Sequence, residues 1–105
     1  MASLFVIQGA DQGKRFELSG RVASLGREAS NVIRLHDSEI SRRHAEIRRG
    51  DDGLTRLVDL GSANGTFLNG QPVDQTPLSS GDQLRLGQTV LLYSEGASHL
   101  TRDLT

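Results

Sequence analysis

The sequence contains no cysteine, and only 4% of its residues are aromatic. Without cysteine, neither disulfide bonds nor thiolate metal sites can support the fold, so burial of apolar side chains has to stabilise it. No apolar run approaches the roughly 20 residues that cross a bilayer, and the first ten residues lack the pattern of a signal peptide. We therefore expect a soluble, unexported, cytoplasmic protein, and its 105 residues are enough for one domain.

Lysine is also scarce, because Lys14 is the only one and the other eleven basic residues are arginines. The formal net charge of −1 argues against a protein that grips duplex nucleic acid through many phosphates. Arginine differs from lysine in presenting a planar fork of donors that suits bidentate contacts to oxyanions. The arginine excess is therefore suited to oxyanion contacts, and a GC-rich genome would produce the same excess.

Helical periodicity is nearly absent, and short strand-like runs follow one another closely. Leu84 and Leu86 flank Arg85, for example, as expected for a strand with one apolar and one wet face. Between the runs lie turn signals such as Asn64-Gly65 and Asn69-Gly70. This pattern predicts an all-β fold, an antiparallel β-sandwich. The predicted strands are residues 4–8, 15–18, 21–25, 32–35, 44–48, 54–59, 83–86 and 89–93.

Three of the polar loops carry residue types that ordinary turns do not require. They contain Gly26-Arg27, Ser41-Arg42-Arg43-His44 and the segment 61–66, which reads Gly-Ser-Ala-Asn-Gly-Thr. Sandwich loops cluster at the ends of the two sheets, so segments far apart in sequence can meet at one surface. We therefore expect a composite site made by these loops.

These loops, with their neighbours, resemble the forkhead-associated (FHA) family over about residues 4–93. The residues that carry the resemblance are Gly26-Arg27, Ser30-Asn31-Val32-Ile33, Leu35-His36-Asp37, Ile40-Ser41-Arg42-Arg43-His44-Ala45-Glu46-Ile47, Asp59-Leu60-Gly61-Ser62-Ala63-Asn64-Gly65-Thr66, Asn69-Gly70 and Gly81-Asp82. The resemblance implies a sandwich of about eleven strands whose loops at one end bind phosphothreonine in an extended peptide. It implies no catalysis, cofactor or metal.

The resemblance assigns the phosphate to three side chains. Arg27 is expected to contact the phosphate, the Ser41 hydroxyl to donate to a phosphate oxygen, and Arg42 to supply a second positive charge. A phosphothreonine carries about −1.5 to −2 charges and three acceptor oxygens, so guanidinium and hydroxyl donors complement it. Arg43, in contrast, is interpreted as a solvated surface residue.

Other residues are expected to hold the peptide or support the site. The side-chain amide of Asn64 is expected to bind the peptide backbone, since an amide offers both a donor and an acceptor. His44 is expected to brace Ser41 and Gly26 without touching the ligand. Gly65 is a further supporting residue, and Ala63 stands where many family members have a hydroxyl.

Glu39 is a candidate specificity residue because it lies two positions before Ser41. In the family the third residue after the phosphothreonine is commonly read by loops near the site. We expect the Glu39 carboxylate to disfavour an acidic residue there and to tolerate a basic or apolar one.

Three alternative functions use the same residues. Ser41, His44 and either Asp37 or Asp59 are the residue types of a hydrolytic triad, but i and i+3 on an extended segment point to opposite faces and no nucleophile elbow is present. His36, Asp37 and His44 form a weak metal-ligand set. The third alternative is a protein-interaction sandwich that does not depend on phosphate.

We expect residues 1–94 to form the domain and residues 95–105 a tail or the start of a linker. The expected partners are proteins phosphorylated on threonine by Ser/Thr kinases, with no nucleic acid and no membrane. Thr101 and Thr105 in the tail raise the hypothesis of phosphorylation within the same polypeptide.

Overall fold

The computed structural model describes residues 2–95, so Thr101, Thr105 and nearly all of the proposed tail lie outside the described residues. The described chain forms eleven strands and no helix, and thus contains no helix suited to cross a membrane. The strands are β1 (Ser3–Gln8), β2 (Arg15–Glu17), β3 (Val22–Gly26), β4 (Ile33–Arg34), β5 (Ala45–Arg49), β6 (Thr55–Asp59), β7 (Thr66–Leu68), β8 (Gln71–Val73), β9 (Gln75–Pro77), β10 (Gln83–Leu86) and β11 (Thr89–Ser94).

The strands form two sheets that together make a sandwich. The first has six strands in the order β2-β1-β11-β10-β7-β8, and the second has five in the order β4-β3-β5-β6-β9. The predicted all-β sandwich is thus confirmed. One pair departs from an antiparallel pattern, because β4 runs parallel to β3 and pairs Gly26 with Arg34.

The core lies between the sheets and is almost entirely aliphatic. On β10, Leu84 and Leu86 are fully buried while Arg85 between them is exposed, as the alternation predicted. Tyr93 is the one aromatic ring among the core residues of the described chain. The other members are smaller, namely Ala2, Leu4, Val6, Leu25, Ile33, Leu35, Ile40, Ala45, Ile47, Leu57, Leu78 and Leu91.

Three strands, β7, β8 and β9, were not predicted from the hydrophobic pattern. Each has three residues, which is too short to display alternation. β8 also contains Pro72 and β9 ends at Pro77. Both strands lie at sheet edges, where a residue without an N–H is tolerated. Asn69 and Gly70 both have positive φ angles, 49° and 85°, so the predicted turn between β7 and β8 is confirmed.

Four connections meet at one end of the sandwich. They are 27–32 between β3 and β4, 35–44 between β4 and β5, 60–65 between β6 and β7, and the tight β10–β11 turn at 87–88. Hydrogen bonds join all four through the 35–44 connection. The rigid sheets therefore present a composite surface at this end.

Candidate functional site

Arg27 and Ser41 lie side by side. The Arg27 backbone N–H donates to the Ser41 carbonyl at 3.1 Å, and the next residue, Glu28, donates to the Arg42 carbonyl at 3.2 Å. The Arg27 side chain also contacts this second segment, because its Nε donates to the Ile40 carbonyl at 3.0 Å. The three residues predicted to hold the phosphate therefore lie on two segments that are hydrogen-bonded to each other. The structure could instead have placed these residues far apart.

Ser41 joins this pair of segments to the third loop. Its Oγ accepts a hydrogen bond from the Ala63 N–H at 3.0 Å. A hydroxyl can donate one hydrogen bond while it accepts others, and the Ser41 hydrogen has no acceptor within residues 2–95. Ser41 is thus fixed in position by Ala63 and retains a donor for a ligand oxygen.

His44 is fully buried and ties Ser41 to Gly65. Its Nδ1 accepts the Ser41 N–H at 3.1 Å, so the ring hydrogen has to be on Nε2, which donates to the Gly65 carbonyl at 2.9 Å. The predicted brace on Ser41 is present. The ring does not bond Gly26, however, and residues 41–44 are bent rather than extended, which differs from the geometry assumed for the triad alternative.

Gly26 instead lies directly against the backbone of the Arg42 segment. A Cβ at this position would overlap the Arg42 carbonyl oxygen and lie 2.6 Å from Asn31 Nδ2. Asn31 Nδ2 donates to the carbonyls of Arg42 and Glu28, at 2.7 and 2.8 Å, and so locks the two segments together. Only glycine at position 26 leaves room for the two segments to approach so closely.

Asn64 is exposed beside the Ser41 loop, and part of its hydrogen-bonding capacity is used within the protein. Nδ2 donates to the Glu39 carbonyl at 2.8 Å, whereas Oδ1 has no donor among the described residues. Gly65, which follows, has a φ of 86° and turns the chain into β7. Asn64 is thereby oriented by the neighbouring loop with its acceptor still available.

Glu39 and Asp37 attach the Ser41 loop to the β10–β11 turn. The Asp37 carboxylate accepts from Gln88 N at 2.8 Å and from Thr89 Oγ1 at 2.9 Å, and it also accepts from Glu39 N. Glu39 Oε2 accepts from Gln88 Nε2 at 3.0 Å. The Glu39 carboxylate therefore stands at the side of the site that faces the β10–β11 turn.

Asp59 organises the loop that carries Asn64. Its carboxylate accepts from Ser62 N, Ser62 Oγ, Gly61 N and Thr66 Oγ1. Burial acts to raise the pKa of the Asp59 carboxyl, but the hydrogen bonds from Ser62 and Thr66 outweigh it and hold the pKa below the usual value of 3.8. Asp59 therefore remains ionised and keeps residues 61–66 in one conformation.

Neither Arg27 nor Arg42 has an ion-pair partner among the carboxylates of residues 2–95, whereas Arg43 pairs with Glu46 at 3.5 Å. Arg27 and Arg42 are both exposed. The loops that meet here therefore carry two exposed arginines and the Ser41 hydroxyl hydrogen as donors, and the Asn64 amide oxygen as an acceptor. This combination suits a phosphorylated peptide.

The residue sets of the catalytic and metal alternatives are engaged elsewhere. Both ring nitrogens of His44 are bonded to backbone, so His44 does not face the Ser41 hydroxyl as a base. His36 Nδ1 lies 2.8 Å from Asp11 Oδ1, and Asp37 contacts the β10–β11 turn. Within residues 2–95 no three such side chains form a group that could hold a metal ion.

Sequence reasoning did not identify several supporting residues. Asn31 and Asp37 lie in the family motif, but their roles depend on the Arg42 carbonyl and the β10–β11 turn, which are distant in sequence. Ser62 and Thr66 act through their hydrogen bonds to the Asp59 carboxylate. The only available signal was the presence of these residues in the motif.

Comparison with known proteins identifies the relatives of this chain. The FHA domain family model matches residues 23–87. The protein named oxoglutarate dehydrogenase inhibitor from Corynebacterium diphtheriae is 43% identical over 93 residues, which cover 89% of this chain and 64% of the relative. The glycogen accumulation regulator GarA from Mycolicibacterium smegmatis is 41% identical over 95 residues, which cover 90% and 60%. The chain thus spans less than two thirds of the length of these relatives.

A solved structure from a study of phosphothreonine-dependent FHA domain interactions superimposes with a TM-score of 0.83 at 34% identity. The superposition covers 92% of this chain and 98% of the other. The agreement includes nearly the whole of both chains, so the two share the sandwich and not merely a motif.

We predict that Gly26→Ala lowers the free energy of unfolding by about 1–3 kcal/mol, because the added methyl group displaces the Arg42 segment. Urea denaturation measures the change. Gly50→Ala is the matched control, since its Cβ would meet only the movable side-chain ends of Asp52 and Arg56, and surface changes of that kind usually cost less than about 0.5 kcal/mol. Equal stability of Gly26→Ala and the wild type would show that the contact between Gly26 and the Arg42 segment is not tight.

We predict that Thr66→Val destabilises the protein in a pH-dependent way. The variant removes one donor to Asp59, and a hydrogen bond to a charged group contributes about 1.5–3 kcal/mol. Because the folded pKa of Asp59 is lowered, this contribution is complete above about pH 5 and is lost as pH falls through that pKa. The gap in unfolding free energy between wild type and Thr66→Val should therefore narrow in acid, and a gap independent of pH would contradict the account. Thr76→Val, whose hydroxyl contacts only Pro77 O at 3.4 Å, is the control.

Proposed function

This chain belongs to the forkhead-associated (FHA) domain family, and we propose that it is a recognition module that binds phosphothreonine in an extended segment of a partner protein. The observation that carries the proposal is the placement of Arg27, Ser41 and Arg42 on two hydrogen-bonded segments, where the terminal nitrogens of Arg27, the Arg42 guanidinium and the Ser41 hydroxyl hydrogen have no acceptor among residues 2–95.

The phosphate chemistry follows from those donors. In this proposal Arg27 and Arg42 balance the charge of the phosphate, and the Ser41 hydroxyl donates its remaining hydrogen to a phosphate oxygen. Charge-assisted hydrogen bonds contribute about 1.5–3 kcal/mol each, so two or three account for most of a micromolar interaction of about −8 kcal/mol. Affinity should therefore depend on the phosphate.

Asn64 holds the peptide backbone in this proposal. Its Oδ1 accepts a backbone N–H from the residue beside the phosphothreonine, while its bond to the Glu39 carbonyl keeps the amide oriented. Because the internal bond is already formed in the free protein, less side-chain entropy is lost when the peptide binds. Asn64 thereby sets the peptide register.

The proposed module reads a modification and does not catalyse a reaction. Two observations support this: both ring nitrogens of His44 are used for backbone contacts, and the relatives are named as an inhibitor and a regulator. We propose that residues 1–94 form the binding unit and that it acts in the cytoplasm on targets of Ser/Thr protein kinases. Binding would recruit such a target to this protein or to an attached effector.

We predict that Arg27→Ala reduces binding of a micromolar phosphothreonine peptide below detection, because the phosphate loses a charge-assisted contact. Isothermal titration with matched phosphothreonine, phosphoserine and unphosphorylated peptides measures the effect. Arg48→Ala is the control, since Arg48 pairs with Glu46 away from the site. Binding that survives removal of the phosphate would favour the phosphate-independent interaction module instead.

We predict that Glu39→Gln relaxes selection at the third residue after the phosphothreonine. The wild type should disfavour an acidic residue there because the Glu39 carboxylate is held at the site by Gln88. Glutamine keeps the side-chain length and removes the charge. An oriented phosphothreonine peptide library measures the preference for both proteins, and strong acidic selection by the wild type would overturn the assignment.

A further inference from the structure

Half of the ten arginines among residues 2–95 form ion pairs with carboxylates, and the other half do not. Among residues 2–95, five arginines form ion pairs with carboxylates: Arg15 with Glu17, Arg21 with Asp51, Arg43 and Arg48 with Glu46, and Arg56 with Asp52. The five described arginines without such a pair are Arg27, Arg34, Arg42, Arg49 and Arg85. Three of these five, Arg27, Arg34 and Arg42, lie at the binding end.

Arg34 is held beside Arg27 by the backbone. It lies on β4, where it pairs with Gly26, and its Nε donates to the Arg27 carbonyl at 3.2 Å. The side chain is exposed, and its terminal nitrogens have no acceptor within residues 2–95. The Nε bond thus aims a free guanidinium fork at the solvent next to the phosphate site.

This third guanidinium exceeds what the phosphate requires. A phosphothreonine carries about −1.5 to −2 charges, which Arg27 and Arg42 balance. The nearest acidic residue in sequence on the 27–32 connection is Glu28, and its described side-chain contact is with Ser30 Oγ at 3.4 Å rather than with an arginine. On the β4 side of the site, the Arg34 guanidinium therefore has no ion-pair partner among residues 2–95.

We propose that Arg34 binds a second anionic group of the partner, a carboxylate or a second phosphate, in a residue close to the phosphothreonine. This inference rests on the proposed function. It makes Arg34 a specificity-determining residue on the β4 side of the site.

The surface is then positive at one side of the bound peptide and negative at the other. Arg34 lies on the edge strand of the five-stranded sheet, whereas Glu39 is bonded to Gln88 in the turn of the other sheet. An acidic group of the peptide is attracted beside Arg34 and repelled beside Glu39. A bound peptide with its acidic residue on the Arg34 side has one favoured direction along the surface.

The test is a scan of phosphothreonine peptides in which a single glutamate, or a second phosphothreonine, is moved through the flanking positions. An otherwise neutral phosphothreonine peptide is the reference, and its unphosphorylated form is the blank. Affinities are measured for wild type, Arg34→Gln, Arg34→Glu and, as the matched control, Arg48→Gln.

We expect the wild type to bind a glutamate peptide about two- to fivefold more tightly at one position, the size of an exposed ion pair, and to lose this gain at high salt. Arg34→Gln should abolish the gain and keep the reference affinity within about twofold, because glutamine leaves the phosphate donors in place. Arg34→Glu should turn the gain from the glutamate at that position into a loss relative to the reference peptide. A larger gain for the second phosphate than for glutamate identifies phosphate as the group; equal gains identify a carboxylate.

A wild type that gains nothing from an anionic group at any position, or a gain that persists in Arg34→Gln, overturns this inference. Wild-type binding that does not distinguish the reference peptide from its blank overturns the proposed function instead. The two failures are therefore separate.

Discussion

The binding surface depends on the buried imidazole of His44, which accepts the Ser41 N–H and donates to the Gly65 carbonyl. These two bonds connect loops that are 21 residues apart, and the bond from Ala63 N to Ser41 Oγ closes the same junction. A buried ring with one nitrogen unpaired would cost about 1–3 kcal/mol, so the arrangement is stable only when both loops are in place. The site is consequently formed before any ligand arrives.

The strands of the sandwich hold the loops of the binding surface in fixed positions. Each connection leaves a strand that is paired on the sheet and packed on the core, and the Asp37 carboxylate adds bonds to Gln88 and Thr89 in the opposite sheet. A preorganised set of donors binds with a smaller loss of conformational entropy than a set of mobile side chains. Recognition of a small, highly charged group thus follows from the rigidity of an otherwise ordinary aliphatic core.

Much of this architecture can be predicted from the sequence, and the parts that cannot have a physical reason. Period-two alternation, as at Leu84 and Leu86, indicates a strand, but three-residue strands such as β8 are too short to alternate and are formed by pairing alone. At the site, the motif indicated the loops and the candidate residues, whereas the hydrogen-bond partners of those residues are set by contacts distant in sequence. The Gly65 carbonyl that receives the His44 hydrogen, and the Arg42 carbonyl that requires glycine at position 26, are visible only in three dimensions.

We propose that phosphothreonine binds where these loops meet, and amide NMR of the chain with a phosphothreonine peptide can locate the binding site. We expect the largest shifts at Arg27, Ser41 and Arg42, little change at Gly20 and Gly53 at the far ends of the strands, and no change with the unphosphorylated peptide. Shifts concentrated around Gly20 and Gly53, or shifts of equal size without the phosphate, would contradict the account.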